Sequence, residues 1–218
     1  MTMYLLIAGI LATLPATGYS LTCIECSVAG DKICNGSSEV CSSGNTVCLL
    51  TRAVNNIGDM VTMNVYIRQC GPKELCSKTG SISLPNGRYL TSVTCCDTDN
   101  CTPPEPILPE VSKEKNGKKC PSCYLTNAKS CVKVTPTDCI GNETICITQI
   151  TNLKGPVPSS TIARGCATKQ LCDPVHQVWH MNKSVVDLEN ICDNGGNHLH
   201  KNILSLIFSV SVLLKLLC

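Results

Sequence analysis

Aromatic side chains are scarce in this sequence of 218 residues and make up only 3% of it. The only phenylalanine is Phe208, near the C-terminus, and the only tryptophan is Trp179. Beyond residue 20 the tyrosines are Tyr66, Tyr89 and Tyr124. This scarcity excludes a large core built on aromatic rings, so small domains in this chain need covalent cross-links to be stable.

An excess of charge of either sign is also lacking. Residues 21–194 hold all 16 acidic residues, and they hold 16 of the 18 basic ones, because Lys201 and Lys215 lie beyond them. A balanced charge produces no long-range field for nucleic acid or an anionic membrane surface, so we expect no nucleic-acid partner. The one local excess is a group of four lysines, Lys113, Lys115, Lys118 and Lys119. It fits a solvated linker better than an anion-binding site.

Groups suited to catalysis are few as well. Nucleophilic catalysis needs a nucleophile, a base and a group that orients the base, whereas the chain has only four histidines. His176 and His180 are four residues apart with Asp173 nearby, which leaves a weak metal site as an alternative to solvated side chains. We favour solvated side chains. The sequence therefore predicts a protein that is not an enzyme, with no catalytic residue, no cofactor and no metal centre.

Cysteine, by contrast, is abundant, with 19 in the chain. The first run comprises Cys23, Cys26, Cys34, Cys41, Cys48, Cys70, Cys76 and Cys95. The second run comprises Cys120, Cys123, Cys131, Cys139, Cys146, Cys166, Cys172 and Cys192. Their spacings agree to within two residues at every step, so one small module occurs twice. The first module continues with Cys96 and Cys101.

This cysteine density is typical of disulfide scaffolds in oxidising compartments. Cys23-x-x-Cys26 and Cys120-x-x-Cys123 have the spacing of zinc knuckles, but a zinc module does not need so many evenly spread thiols. Residues 4–14 form an apolar run followed by small residues, which favours export. We assign residues 1–20 to a signal peptide, although its first residues lack the usual Lys or Arg, and we expect the cysteines to pair.

A proline-rich and then charged segment, residues 102–119, is typical of a linker and separates modules at 21–101 and 120–193. From Val61 to Ile67 every second residue is apolar, which predicts a strand with one buried face. A hairpin is predicted to turn at Pro85-Asn86-Gly87, because Asn-Gly accepts positive φ. In the second module we expect a long hairpin with its tip at residues 155–158. The modules are predicted to be all-β.

The C-terminal residues 194–218 end in an apolar run that begins at Ile203, shorter than the roughly 20 residues that span a bilayer as a helix. Small residues and a polar spacer precede it, which is the order of a glycosylphosphatidylinositol (GPI) attachment signal. We expect attachment at Asn194 and removal of the tail, including Cys218. The protein would then lie on the extracellular side of the plasma membrane. The alternatives are a secreted chain with an unprocessed tail and a short true anchor.

The first module resembles the lymphocyte-antigen-6/urokinase-receptor superfamily of three-finger domains. The resemblance lies in Leu21-x-Cys23-x-x-Cys26 at its start and Cys95-Cys96-Asp97-x-x-Asn100-Cys101 at its end. It implies an all-β, disulfide-rich fold of two tandem three-finger (snake-toxin-like) domains. In the second module Asp193 and His198 stand at the positions of Cys96 and Cys101, so both partners of one bridge are absent together.

The resemblance also implies the disulfide pairing, which spacing alone leaves open. In the first module it implies five bridges, Cys23–Cys48, Cys26–Cys34, Cys41–Cys70, Cys76–Cys95 and Cys96–Cys101. In the second module it implies four bridges, Cys120–Cys146, Cys123–Cys131, Cys139–Cys166 and Cys172–Cys192.

The two-domain plan is similar to gamma-type inhibitors of phospholipase A2 and to two-domain surface members of the superfamily. We therefore expect a non-enzymatic surface glycoprotein that binds an extracellular protein ligand through its finger loops. The alternative is an inhibitor of secreted phospholipase A2, and an adhesive coat protein without a discrete ligand also stays open. The expected binding residues are Asn56, Ile57 and Asp59 at one tip, and Trp179 as an aromatic anchor.

Four sequons for N-glycosylation occur in the sequence, at Asn35, Asn100, Asn142 and Asn182. A glycan needs an accessible loop. Asn100 lies beside a bridged cysteine, at a position that is structural in the family, so we expect glycans at the other three.

Overall fold

The computed structural model describes residues 20–30, 32–42, 44, 46–58, 60–110, 112–128, 130–173, 176–181 and 184–193, and in residues 179–181 it describes the backbone alone. Its elements are β1 (Thr22–Ala29), β2 (Ser37–Val40), β3 (Thr46–Ile57), β4 (Met60–Pro72), the 3-10 helix η1 (Lys73–Leu75), β5 (Thr79–Leu84), β6 (Gly87–Cys96), β7 (Lys115–Thr126), β8 (Thr135–Ile140), β9 (Ile145–Lys154), β10 (Ser159–Ala167), η2 (Lys169–Cys172), β11 (His176–Met181) and β12 (Ser184–Asp193). These residues contain no α-helix, and none of their helices is long and apolar enough to cross a membrane. The all-β prediction is confirmed.

The described residues divide into two compact units. The first unit consists of those within 1–52, 65–77 and 93–106. The second consists of those within 53–64, 78–92 and 107–218. Strands β3, β4 and β6 contribute residues to both units.

Sulfur forms much of the core of the first unit. Its strands follow the order β3-β4-β1-β2, and β1 pairs antiparallel with both β2 and β4. Buried Cys23, Cys41 and Cys48 pack together. A second small cluster packs against Cys76 and Cys95 and consists of Val47, Leu49 and Val93. The disulfides thus occupy the place that aromatic side chains take in larger cores.

The second unit has an aliphatic cluster as well as a cluster of buried cysteines. Its strands follow the order β11-β12-β9-β10-β5, β5 pairs with β6, and β7 pairs with both β10 and β8. Ile82, Ile145, Ile147 and Ala167 form its central cluster, and Ile82 lies opposite Ala167 where β5 pairs with β10. Lys115–Thr126 is one strand, so the end of the segment expected as a linker lies in β7.

The described residues contain nine disulfides. They are Cys23–Cys48, Cys26–Cys34, Cys41–Cys70, Cys76–Cys95, Cys96–Cys101, Cys120–Cys146, Cys123–Cys131, Cys139–Cys166 and Cys172–Cys192. These are the same nine pairs that the family resemblance implies. Two groups of three neighbouring cysteines have the proximity of metal ligands, but every one of their sulfurs is in a disulfide and none is a thiolate.

Burial along β4 differs from the prediction. Val61 and Met63 are 60% and 41% exposed, whereas Tyr66 and Arg68 are 1% and 4% exposed. The strand is confirmed, but the predicted buried face is wrong. The physical reason is that Tyr66 and Arg68 find hydrogen-bond partners in distant segments, which offsets part of the cost of burying their polar groups.

The predicted turn between β5 and β6 is present, but glycine is required at position 87 for a different reason from the predicted one. Pro85 and Asn86 form its loop, and Leu84 pairs with Gly87 in the sheet. Gly87 does not adopt positive φ. A side chain there would collide with the backbone oxygen of Asn56, and this close approach is what requires glycine. The long hairpin of the second module is confirmed, because β9 and β10 pair on either side of residues 155–158.

Candidate functional site

The tip of the β3–β4 hairpin exposes four large apolar side chains. Ile57, Met60, Val61 and Met63 are 54%, 72%, 60% and 41% exposed, and we call them the hairpin-tip cluster. Gly58, between the two strands, has φ of +60°, a conformation that glycine adopts without steric cost. Clustered apolar exposure of this kind marks interaction surfaces.

A cleft of about 430 Å³ lies beside this tip within the second unit. Asn56 and Gly58 line one side of it, while the turn residues Pro85 and Asn86 line another. Lys113, a lysine of the predicted linker, also lines the cleft. The tip therefore combines exposed apolar side chains with a neighbouring cleft whose lining includes Lys113 and Arg88.

Three side chains fix the hairpin near its disulfide-linked end. Tyr66 Oη donates a hydrogen bond of 2.9 Å to Glu105 Oε1, and Arg52 Nη1 lies 3.8 Å from the same oxygen. The Arg52 guanidinium carbon lies 5.3 Å from the centre of the Tyr66 ring, within cation–π range. All three residues belong to the first unit. They hold β3 and β4 against the segment that follows Cys101.

Arg68 provides a second fixed point for β4. Its guanidinium donates hydrogen bonds of 3.4 Å to the Cys34 carbonyl, 3.1 Å to the Cys101 carbonyl and 3.2 Å to Thr102 Oγ1. Burial lowers the pKa of Arg68 from its ordinary value, and hydrogen bonds to three acceptors offset part of the cost of burying the charge. The strand leading to the tip is thereby anchored to two disulfide-linked segments.

The expected binding residues are placed as follows. Ile57 is exposed and belongs to the hairpin-tip cluster, and Asn56 is half-buried with its Oδ1 atom buried and unbonded. Asp59 lies outside the described residues. Trp179, in β11, pairs through its backbone with Val186 of β12, and the side chain of Trp179 is outside the described part. Binding by these four residues stays a prediction.

The described part of the histidine cluster considered in the sequence is His176, which shares a hydrogen bond with Asp187. His176 Nε2 lies 2.8 Å from Asp187 Oδ1, and Lys154 Nζ lies 3.3 Å from Asp187 Oδ2. The hydrogen bonds from His176 and then Lys154 hold the pKa of the Asp187 carboxyl below its ordinary value. The side chain of His180 is outside the described residues. Lys115 and Lys119 similarly bridge Asp138, at 2.6 and 3.4 Å.

The glycosylation candidates that the structure describes lie in exposed loops. Asn35 is exposed between β1 and β2, and Asn142 is exposed in the turn between β8 and β9. Asn100 has φ of +54°, its N–H donates to the Thr22 carbonyl at 2.7 Å, and its Oδ1 accepts a bond of 2.6 Å from Ser38. Asn182 and the expected GPI attachment residue Asn194 lie outside the described residues. Modification at each site stays a prediction.

Sequence reasoning missed Met60, Val61 and Met63 as part of the site, because alternation assigned Val61 and Met63 to a buried face. It also missed Arg68 and Glu105. The available signal was composition at the tip, because Met60 and Met63, two of the five methionines of the chain, come soon after Gly58.

Comparison with known proteins identifies the family. The u-PAR/Ly-6 domain model matches residues 19–104 and again 116–198. The chain is 28% identical over 208 residues to the urokinase plasminogen activator surface receptor of Aotus trivirgatus, covering 86% of this chain and 57% of the receptor. The chain thus spans little more than half the length of that relative.

Two further relatives are named as inhibitors. The chain is 27% identical over 172 residues to a gamma-type phospholipase A2 inhibitor of Elaphe climacophora and to that of Elaphe quadrivirgata, covering 78% of this chain and 84% of each inhibitor. Among solved structures, mouse TEX101 aligns over 79% of this chain and 98% of its own, with 13% identity and a TM-score of 0.36. At that TM-score the fold assignment rests on the family match and not on this likeness.

The two matches to the family model cover most of the chain, and both contain all-β segments that are cross-linked by disulfides. The prediction of two tandem three-finger domains is therefore confirmed, and the chain belongs to the u-PAR/Ly-6 domain family.

Proposed function

We propose that this chain is a non-enzymatic extracellular protein that binds a protein ligand through the tip of its β3–β4 hairpin. The observation that carries the proposal is the hairpin-tip cluster, in which Met60 and Val61 are 72% and 60% exposed. The Cys41–Cys70 disulfide and the Tyr66–Glu105 hydrogen bond hold the other end of this hairpin. Within the second unit, the backbone of Asn56 at this tip packs closely against Gly87 of the neighbouring turn. A tip held in one conformation loses little conformational entropy on binding, which favours recognition.

The names of the relatives support a binding role. One is named as a surface receptor for urokinase plasminogen activator, and two are named as inhibitors of phospholipase A2. The test is cross-linking of cells that display the full chain, followed by capture of the chain and mass spectrometry of what is attached. One reproducible extracellular protein is the expected result. Capture of no protein above an empty-vector control would contradict the proposal.

We also propose that residues 21–101 and 120–193 are the two three-finger domains and that a GPI anchor at Asn194 holds the mature chain on the cell. The tail composition and the surface location named for one relative support this arrangement. Phosphatidylinositol-specific phospholipase C should release the chain from expressing cells. Retention after verified enzyme action contradicts the anchor, and its constitutive presence in the medium supports the secreted alternative.

Inhibition of a secreted phospholipase A2 is the second candidate. It is favoured by the extent of the inhibitor match, which covers 84% of each inhibitor. The released chain, added in molar excess to purified secreted phospholipases of several classes, should slow hydrolysis of a micellar substrate by at least one of them. Unchanged hydrolysis with every class of phospholipase would eliminate this candidate. It would leave the proposed binding of another protein ligand through the hairpin tip untouched.

A further inference from the structure

A second cleft, of about 360 Å³, lies within the second unit. Its walls come from β5, the segment before β7, the turn between β8 and β9, and the start of η2. Its volume is in the range of small-molecule sites. We call it the Glu143 cleft, after the carboxylate on its wall.

The Glu143 carboxylate is almost wholly buried and only half bonded. The residue is 2% exposed, and its Oε1 accepts a hydrogen bond of 2.7 Å from Ser81 Oγ. Its Oε2 is buried and has no hydrogen-bond partner among the described residues. A buried carboxylate oxygen without a donor is costly, so a donor brought by a ligand would be strongly stabilised there.

The backbone holds this carboxylate in place. The Glu143 N–H donates to the Ile140 carbonyl at 3.0 Å, and its own carbonyl accepts a bond of 3.0 Å from Asn116 Nδ2. The walls are also closely packed, because a Cβ at Gly80 would lie 2.5 Å from Thr168 Oγ1 and one at Gly141 would lie 2.6 Å from Ser112 Cβ. These contacts hold the residues of the wall in place, and fixed walls lower the entropic cost of binding.

The chemistry of the walls selects a cation. Glu143 and Glu110 are both on the wall, and the described lining residues include no Lys, Arg or His. They also include no aromatic ring, so a quaternary ammonium, which is recognised by aromatic faces, does not fit. A primary ammonium carries three N–H donors. Glu143 Oε2 can accept one of them, and the hydroxyl of Thr168 and the amide oxygen of Gln170 are further acceptors on the same wall.

We propose that the Glu143 cleft binds a primary ammonium group, with Glu143 Oε2 as its principal acceptor. The group belongs either to a lysine side chain of a partner protein or to a small free amine. The proposal does not rest on the function proposed for the hairpin tip, because no residue of the hairpin-tip cluster lines this cleft.

The test uses saturation-transfer NMR on the mature chain purified from expressing cells, with n-butylammonium and Nα-acetyl-lysine methylamide as probes. Butan-1-ol serves as the neutral isostere. Tighter binding of the lysine derivative assigns the site to a lysine side chain, and equal or tighter binding of n-butylammonium assigns it to a free amine. Each probe is also tested on Thr144→Ala, which removes the Asn142 sequon without changing a lining residue. Ammonium binding by the wild type or by Thr144→Ala supports an ammonium site in the Glu143 cleft.

Glu143→Gln keeps the side-chain shape and is expected to weaken ammonium binding by about tenfold, the worth of one charge-assisted hydrogen bond. The matched control is Glu110→Gln, which alters an exposed carboxylate of the same wall and should weaken binding by less than about threefold. Three results overturn the proposal: no ammonium binding in either background, binding unchanged in Glu143→Gln, or equal binding of butan-1-ol. The comparison with butan-1-ol decides the question even if Glu143→Gln is not secreted.

Discussion

Tyr66 donates a hydrogen bond to Glu105 across 39 residues of sequence, and its ring lies under the guanidinium of Arg52. This relationship joins β3, β4 and the segment after Cys101 within the first unit. A buried tyrosine normally needs a partner for its hydroxyl, and here the partner is a partly exposed carboxylate. The hairpin that carries the exposed apolar cluster therefore has a polar, hydrogen-bonded anchor at its other end.

Tyr66→Phe tests this anchor. The change removes the hydrogen bond to Glu105 but keeps the ring, so we expect unfolding to be easier by about 1 kcal/mol. That loss corresponds to a fall in Tm of about 2–4 °C by differential scanning fluorimetry. Tyr124→Phe is the control, because that residue is 50% exposed and its Tm should be unchanged. Identical Tm values for the two variants would show that the Tyr66 hydroxyl does not stabilise the fold.

Arg68→Met tests the second anchor. It leaves the carbonyls of Cys34 and Cys101 without their charged donor, and unsatisfied buried acceptors should cost about 3 kcal/mol. We expect reduced secretion and a lower Tm for whatever is secreted. The control is Arg164→Met at a half-buried position. Equal secretion and Tm for both would contradict a structural role for the Arg68 guanidinium.

Gly87→Ala tests the close approach between the tip of the β3–β4 hairpin and the turn of the β5–β6 hairpin. A Cβ at position 87 collides with the Asn56 carbonyl, so one strand has to shift, at about 1–3 kcal/mol. The expected result is a lower midpoint in guanidinium chloride. Asn86→Ala, in the same turn and exposed, should keep the wild-type midpoint. If Gly87→Ala also keeps the wild-type midpoint, the glycine is not required for packing.

The hydrogen bonds of Asp187 to His176 and Lys154 predict a specific dependence of stability on pH. Hydrogen bonds from His176 and Lys154 hold the pKa of Asp187 below its ordinary value. Its stabilising contribution is therefore complete above the unfolded pKa of about 3.9 and is lost as the pH falls through the folded pKa. We expect the Tm of wild type to exceed that of Asp187→Asn at about pH 5, and we expect this difference to shrink as the pH falls below about 3.9. Glu189→Gln, an exposed carboxylate in the same strand, is the control. A Tm difference between wild type and Asp187→Asn that does not change with pH would contradict this account.

Local signals in the sequence were sufficient for strand β4 and for two turns. The Pro85-Asn86 loop is where the turn chemistry predicted it, and the second long hairpin turns at residues 155–158. The reason for Gly87 was not accessible in the same way, because it depends on contact with Asn56, 31 positions earlier in the chain. Turn propensity is local, whereas this steric requirement is tertiary.

The burial of β4 could not be read from alternation. Period-two patterning assumes that apolar residues face inward, but Tyr66 and Arg68 are buried because Glu105, Cys101 and Thr102 satisfy them from the end of the module. Glu143 is a similar case, since its partner Ser81 lies 62 positions away. Such pairings become visible only when the chain is folded.

Binding through the hairpin tip is the central claim, and capture with matched variants tests it most directly. Cells displaying wild type, Met60→Ser/Val61→Ser or Val157→Ser at equal surface levels are cross-linked, and the attached extracellular protein is quantified by mass spectrometry. Val157 is 77% exposed at the tip of the β9–β10 hairpin, so it controls for the loss of exposed apolar surface alone. The account predicts that the double variant captures about tenfold less ligand than wild type while Val157→Ser captures as much. Undiminished capture by Met60→Ser/Val61→Ser would contradict it.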